Sequence, residues 1–240
     1  MWEITLRGKP SDIVYFLELK NSLKEILNKN AIIVITFEKD LVCSIAIAKE
    51  KLSSKIYKKI YETILKIVKI EYITQNIKVF SNDKSLNSYF VSSIVNMEIS
   101  NEVKYAMQVT KLSRVINIRP FVLFKLHNLY EMWQKEVDYY NFHFNCDNGE
   151  NYLDFLKFIA LNIDTKSKIL YLEEINSEMC FLDEKRNKMK NLRLDDEVGI
   201  IANLVMYAPK KLIINCINSL SDKVTKLISY IFEDRVSVLL

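Results

Sequence analysis

The chain has 240 residues, of which half are hydrophobic and 27% are charged, with only three Gly and three Pro. So few Gly and Pro residues exclude a collagen-like or linker-rich protein and disfavour β-sandwiches and barrels, which need many turns; long helices with a few buried strands are favoured. The net charge of +4, from 34 basic and 30 acidic residues, is a weak bias, whereas nucleic-acid binders usually carry a stronger, clustered basic surface.

The first predicted unit, residues 1–75, has the order β-α-β-β-α. Alternating apolar residues predict a strand at Trp2–Arg7, and Pro10 favours the start of a helix that continues to about Asn28. Two further strands and an amphipathic helix are predicted at Ala31–Phe37, Leu41–Ala48 and about Lys51–Ile70. These elements predict a small α+β unit.

The second predicted region, residues 76–164, is helical, because apolar residues at 3.6-residue spacing replace strand-like alternation. Helices are predicted near 101–116, from Pro120 at the first helical position to about Phe142, and near Tyr152–Asn162. We expect these helices to form a middle layer.

The third predicted unit, residues 165–240, has the order β-β-α-β-α-β. Two strands precede a polar, basic connector at 185–193, and acidic residues at 195–197 favour the start of a helix that ends before Pro209. The strands are predicted at Ile169–Glu173, Glu178–Leu182, Leu212–Asn215 and Val236–Leu240, and the last helix begins at a capping box of Ser219 and Asp222. This order places the last two strands parallel in a mixed sheet, so the whole chain is predicted to be α+β.

The sequence lacks the motifs of common catalytic and cofactor sites. It has no GxxxxGK[ST], GxGxxG or GxSxG motif, and its four cysteines lack zinc-ribbon spacing. Its two histidines, His127 and His143, belong to no metal-ligand pattern. We therefore expect no enzymatic activity, metal or cofactor. Since the sequence contains neither an apolar signal segment nor a stretch long enough to span a membrane, we expect a cytoplasmic protein without membrane insertion.

Arg114, Arg119 and Lys125 are candidate contact residues in segment 112–126. Arg is a bidentate partner for carboxylate or phosphate, and a helix start at Pro120 offers free backbone N–H groups to an anion. The alternative is that Arg119 pairs with a structural carboxylate while its apolar neighbours pack in the core. Charge reversal at Arg119 separates the two: a contact role predicts lost partner binding at unchanged stability, and a structural role predicts a large loss of stability.

Lys210 and Lys211 form a second candidate site, between Pro209 and a predicted strand. Together with the basic connector 185–193, they would form a patch for nucleic acid or for an acidic protein. The alternative is a solvated turn between a helix and a strand.

Two motifs resemble the YtxC-like sporulation protein family of endospore-forming Firmicutes. Residues 116–126 read Ile-Asn-Ile-Arg-Pro-Phe-Val-Leu-Phe-Lys-Leu, similar to the family's I-N-I-R-G-F-V-x-F-R-L. Residues 208–214 and 231–236 read Ala-Pro-Lys-Lys-Leu-Ile-Ile and Ile-Phe-Glu-Asp-Arg-Val, similar to A-P-K-K-I-I-I-H and I-F-G-[DE]-R-V. The resemblance covers residues 110–240, while the first hundred residues agree mainly in organisation. Pro120 replaces a family glycine, and Asn215 stands where the family has histidine.

The resemblance implies a cytoplasmic protein of a sporulating bacterium and implies no reaction. With the missing catalytic motifs, it predicts a non-enzymatic protein that acts in sporulation by binding an unknown protein partner. The alternative is a nucleic-acid or nucleotide-phosphate binder that uses the same basic residues, whose affinity would fall steeply with salt. An enzyme would require a concave pocket that holds perturbed carboxylates or His127.

Overall fold

A computed structural model of the chain describes residues 2–27, 31–37, 39–48, 54–78, 84–143, 149–163, 165, 167–175, 178–192, 197–215 and 220–238. Helices and two β-sheets make it an α+β protein, as predicted. None of the helices in these ranges combines the length and the apolar character that crossing a membrane requires.

The chain forms two compact units. Unit 1 consists of Met1–Ile77 and Met97–Tyr139, and unit 2 consists of Lys78–Asn96 and Tyr140–Leu240. The sequence analysis divided the chain at 1–75, 76–164 and 165–240, according to where the type of secondary structure changes. In the structure, the helical region 76–164 is not a unit of its own, because its residues are shared between the two compact units.

Unit 1 contains a four-stranded sheet with the order β2-β3-β1-β4. Its strands are β1 (Trp2–Gly8), β2 (Ala31–Phe37), β3 (Leu41–Ile47) and β4 (Val115–Asn117). Its helices are α1 (Ile13–Leu27), α2 (Ser54–Asn76), the part of α3 (Lys84–Val109) from residue 97 on, α4 (Ile118–Lys125), and α5 (Asn128–His143) up to residue 139. A short 3₁₀ turn, Pro10–Asp12, joins β1 to α1.

The sheet of unit 1 buries one face and exposes the other. β3 lies between β2 and β1 and is antiparallel to both, while β4 is parallel to β1. Because side chains alternate along a strand, one face holds the buried residues Ile4, Leu6, Cys43, Ile45 and Ile47. The alternate residues lie on the other face, which we call the open face; Ile32, Val34 and Val115 on the outer strands are exposed there, and the residues of the central strand β3 are half-buried.

Unit 2 contains a five-stranded mixed sheet with the order β7-β6-β5-β8-β9. Its strands are β5 (Ile169–Ile175), β6 (Glu178–Leu182), β7 (Lys188–Leu192), β8 (Lys211–Ile214) and β9 (Val236–Val238), and its helices from residue 149 on are α6 (Gly149–Asn162), α7 (Glu197–Tyr207) and α8 (Asp222–Phe232). β5, β8 and β9 are parallel neighbours. The predicted parallel pairing of the last two strands is therefore confirmed.

The structure corrects the predictions for residues 101–142. The helix predicted near 101–116 is α3, which begins earlier and ends at Val109, where the Tyr61 hydroxyl contacts both the carbonyl and the hydroxyl oxygen of Thr110. The strand β4 follows and was not predicted, because three residues are too few to show alternation. The helix predicted from Pro120 to Phe142 is two helices, α4 and α5, separated by the buried Leu126 and the exposed His127. Pro120 is the third residue of α4, where its missing N–H still costs no helical hydrogen bond.

Two further predictions, in unit 2, were wrong. The connector predicted at 185–193 includes β7, which pairs antiparallel with β6. The turn between them is held by the Asp183 carboxylate, which accepts hydrogen bonds from the backbone N–H groups of Lys185 and Asn187. The cap of the last helix is Ser221, whose hydroxyl accepts from the N–H of Val224 at 3.3 Å. Ser219, the predicted cap, lies outside the described residues.

Candidate binding surfaces

Arg119 lies in an ion-pair cluster at one end of the sheet of unit 1. Because β1 and β4 are parallel neighbours, their carboxyl ends meet, and each strand leads into a helical segment there. The Nη1 and Nη2 atoms of Arg119 donate to the two carboxylate oxygens of Asp12 at 2.7 and 3.0 Å, and its Nε donates to Glu71 at 2.6 Å. The topology therefore brings together residues 107 positions apart.

Lys9 and Gly8 complete this cluster. The backbone N–H of Lys9 donates to Asp12 at 2.7 Å, and its ammonium group pairs with Glu71 at 2.5 Å. A Cβ atom at Gly8 would lie 2.5 Å from the Asp12 carboxylate. The close approach of the carboxylate to β1 thus requires glycine at this position.

The electrostatics of the cluster are balanced, with two cations facing two carboxylates. Partial burial acts to raise the pKa of Glu71, but hydrogen bonds from Lys9 and Arg119 outweigh it and lower the pKa. The hydrogen bond to Asp12 raises the pKa of Arg119. Asp12 is almost fully buried, whereas Arg119 is about a quarter exposed. These ion pairs match the second alternative for Arg119, in which its guanidinium group pairs with a structural carboxylate.

A depression of about 150 Å³ lies beside the cluster. Its lining includes Arg7, Lys9, Asp40, Asn117 and Arg119, and does not include His127. Three of the charged lining residues are basic and one, Asp40, is acidic, but Lys9 pairs with Glu71 and Arg119 pairs with Asp12. These ion pairs weaken the attraction of the depression for an anion.

Lys125 belongs to an exposed surface at the end of α4. Ile118 and Val122 are fully buried and anchor the helix, while Leu123, Phe124 and Lys125 are exposed. We call these three exposed residues the α4 surface. The structural alternative in the sequence analysis placed the apolar neighbours of Arg119 in the core. The i, i+4, i+8 spacing of Ile118, Val122 and Leu126 would have identified the buried stripe and left Leu123 and Phe124 outside it.

Arg114 is exposed on the segment before β4. Its carbonyl oxygen accepts a hydrogen bond from the N–H of Thr5 at 2.8 Å, which fixes the backbone at the start of the β1–β4 pair. Its guanidinium group does not take part in the Arg119 cluster, so the structure does not combine Arg114 and Arg119 into one anion site.

Lys210 and Lys211 are exposed at the edge of the unit 2 sheet where β5 and β8 begin. Their backbone N–H groups donate to the carbonyl oxygens of Ser167 and Lys168. Lys168, which was not predicted, is also exposed, and we call Lys168, Lys210 and Lys211 the lysine edge. Parallel pairing places the starts of distant strands side by side, which spacing along the sequence does not show.

Arg186, in the connector predicted to extend this patch, contacts residues of β5. Arg186 donates to the carboxylate of Glu173, which also accepts from the side chain of Asn215, and its guanidinium group stacks 3.6 Å from the centre of the Tyr171 ring. The side chain of Asn215 therefore makes a polar contact at the end of β8.

A buried charge cluster in unit 1 was not predicted. The ammonium group of Lys69 pairs with Glu102 at 2.5 Å and with Glu136 at 2.8 Å, and the indole N–H of Trp133 donates to Glu102 at 3.0 Å. The side chains of Lys69 and Glu102 are fully buried. Burial raises the pKa of both glutamates, although the attraction of Lys69 acts in the opposite direction. Among the described residues, the second carboxylate oxygen of Glu102 has no hydrogen-bond partner, and burying an unpaired polar atom costs stability.

The described residues contain no group of three or more His, Cys, Asp and Glu side chains arranged to hold a metal ion. Cys43 is buried, and burial raises the pKa of its thiol to about 12. Such a thiol stays protonated and unreactive at neutral pH.

Comparisons of this chain with family models, with curated proteins and with solved structures find no match.

Proposed function

We propose that this chain is a non-enzymatic binding protein that contacts a protein partner through the α4 surface. The observation that carries the proposal is the exposure of Phe124, 74% accessible, beside Leu123 and Lys125. An exposed aromatic residue flanked by an apolar and a basic residue is typical of the anchor of a protein interface.

The neighbouring contacts support a rigid presentation of this surface. Ile118 and Val122 are fully buried on the side of α4 away from Phe124, and Arg119 ties the first turn of the helix to Asp12 and Glu71. A helix held in this way loses little conformational entropy on binding, which favours affinity. The chemistry of the surface fits a partner with an apolar pocket bordered by carboxylates, since Lys125, which follows Phe124 in the chain, is also exposed.

The cytoplasm of a sporulating bacterium is the proposed setting. This part of the proposal is based on the two motifs at 116–126 and at 208–236 alone. The α4 surface lies within the first of them.

Nucleic-acid or nucleotide-phosphate binding through the lysine edge is the second candidate function. The observation in its favour is that Lys168 joins Lys210 and Lys211 at the start of two adjacent strands. Three lysines supply a small phosphate contact, which predicts weak binding with a shallow dependence on salt.

The test is affinity capture of the tagged full chain from sporulating cells, with half of each lysate treated with nuclease. The unaltered chain is compared with Phe124→Ser and with the control Phe142→Ser, which changes a phenylalanine that is 80% exposed on α5. We expect a protein partner to be recovered with the unaltered chain and with Phe142→Ser, and to be lost with Phe124→Ser. Both positions are exposed, so the melting temperatures should stay nearly unchanged.

Recovery of the same partner with Phe124→Ser would overturn the proposal. Recovery of nucleic acid, or of partners lost after nuclease, would favour the second candidate. In that case, replacing Lys168, Lys210 and Lys211 by alanine should abolish the recovery.

A further inference from the structure

The strand β2 lies at one edge of the unit 1 sheet and lacks the protection that edge strands usually carry. Its sequence, Ala-Ile-Ile-Val-Ile-Thr-Phe, has no charged residue and no proline. Ile32 is 70% exposed and Phe37 is 64% exposed. Monomeric proteins usually shield an edge of this kind with a charge, a proline, a bulge or a short length, because an open edge pairs with other strands. The other edge strand, β4, is only three residues long.

We propose that β2 pairs antiparallel with β2 of a second copy of this chain, around a two-fold axis at Val34. This register places Val34 opposite Val34, Ile33 opposite Ile35, Ile32 opposite Thr36, and Ala31 opposite Phe37. Opposed residues in an antiparallel pair point to the same face, so the core-side Ile33 meets Ile35, and Val34 meets its own copy on the open face. Phe37, the largest side chain of the strand, lies opposite the smallest, Ala31. The strand is therefore complementary to itself, which an isologous interface requires.

The helix α1 adds area to this interface. Stable interfaces bury about 800 Å² per partner, and a seven-residue strand, about 24 Å long, does not supply that area alone. Tyr15 and Ser22 of α1 line a cleft against α2. At 100° per residue, Ile13 and Leu17 lie on the other side of α1, and both are partly exposed. The same side of α1 carries Lys20 and Lys24 further along the helix, so its apolar part is the N-terminal end at Ile13 and Leu17. Since α1 contacts β2, this apolar end borders the same edge and extends the surface that a second copy would cover.

The test is sedimentation velocity of the full chain over a wide range of concentration. We expect the unaltered chain to sediment as a dimer, with twice the chain mass of 28.3 kDa. Val34→Lys and Val34→Glu should each be monomeric, with a dissociation constant raised roughly 100-fold or more, because each places two like charges in contact. An equimolar mixture of the two variants should form a dimer again, since position 34 meets itself.

The matched control is Val115→Lys, on the opposite edge of the same sheet. Val115 is 52% exposed on the open face, close to the 46% of Val34, so this variant should remain dimeric.

Hydrogen exchange of the unaltered chain is a second test, and it does not depend on whether a variant folds. The protection of the backbone amides of residues 31–37 should increase with protein concentration. A monomeric unaltered chain, a dimeric Val34→Lys variant, a mixture that stays monomeric, or protection independent of concentration would each overturn the proposal.

Discussion

Replacing Arg119 by methionine would leave the buried carboxylate of Asp12 with one hydrogen bond, from the N–H of Lys9. The change removes both guanidinium bonds to Asp12 and the bond to Glu71. Breaking a buried ion pair from one side costs about 3–5 kcal/mol. Because Arg119 is about a quarter exposed, water offsets part of this cost, and we expect the free energy of unfolding of unit 1 to fall by about 3 kcal/mol. That is a large fraction of the roughly 5–15 kcal/mol that stabilises a typical domain.

The assay is urea denaturation followed by tryptophan fluorescence, which reports on unit 1 because both tryptophans, Trp2 and Trp133, lie there. The matched control is Arg114→Met, an exposed arginine of the same segment, which should change stability by less than about 0.5 kcal/mol. Adding Asp12→Asn to Arg119→Met should recover part of the loss, because it removes the unpaired charge. If Arg119→Met and Arg114→Met have equal effects, the structural role of Arg119 is refuted.

Two other substitutions test the remaining polar contacts of unit 1. Lys69→Met should lower the free energy of unfolding by more than about 3 kcal/mol at pH 7. Because burial raises the pKa of Glu102 and Glu136, the folded state binds protons more tightly than the unfolded state. The stability lost in this variant should therefore shrink as the pH falls toward about 5, which urea titrations at several pH values would measure. Gly8→Ala should lower the urea midpoint by the equivalent of about 1–2 kcal/mol, because its Cβ meets Asp12. A variant more stable than the unaltered chain would show instead that this carboxylate moves freely.

Local sequence patterns predicted much of the fold. The strands β1, β2 and β3 were found because apolar alternation or continuous β-branched runs extend over seven residues in each. β4 was missed because it has three residues, and β7 because its polar composition, Lys-Met-Lys-Asn-Leu, matches that of a loop. Both strands are defined by the neighbour that they pair with, which a local pattern does not contain.

The candidate surfaces were predicted only in part. Residue type singled out Arg119, Lys210 and Lys211, but the partner of Arg119 is 107 positions away, and Lys168 joins the two lysines only through strand pairing. The buried Lys69 had no signal in the sequence, because a single lysine on an amphipathic helix resembles a solvated residue. Its burial depends on glutamates that two other helices supply.

The late position of β4 in the chain has a consequence for biosynthesis. Ribosomes add about 5–20 residues per second, so Arg119 is made roughly 5–20 seconds after Asp12. During that interval the Asp12 carboxylate has no guanidinium partner, and water solvates it more favourably than an apolar interior would. The first three strands therefore lack this ion pair while the nascent chain is shorter than about 119 residues, and a gene truncated at residue 75 would encode a sheet without its fourth strand. Unit 1 is completed only after the residues 78–96 of unit 2 have already been translated.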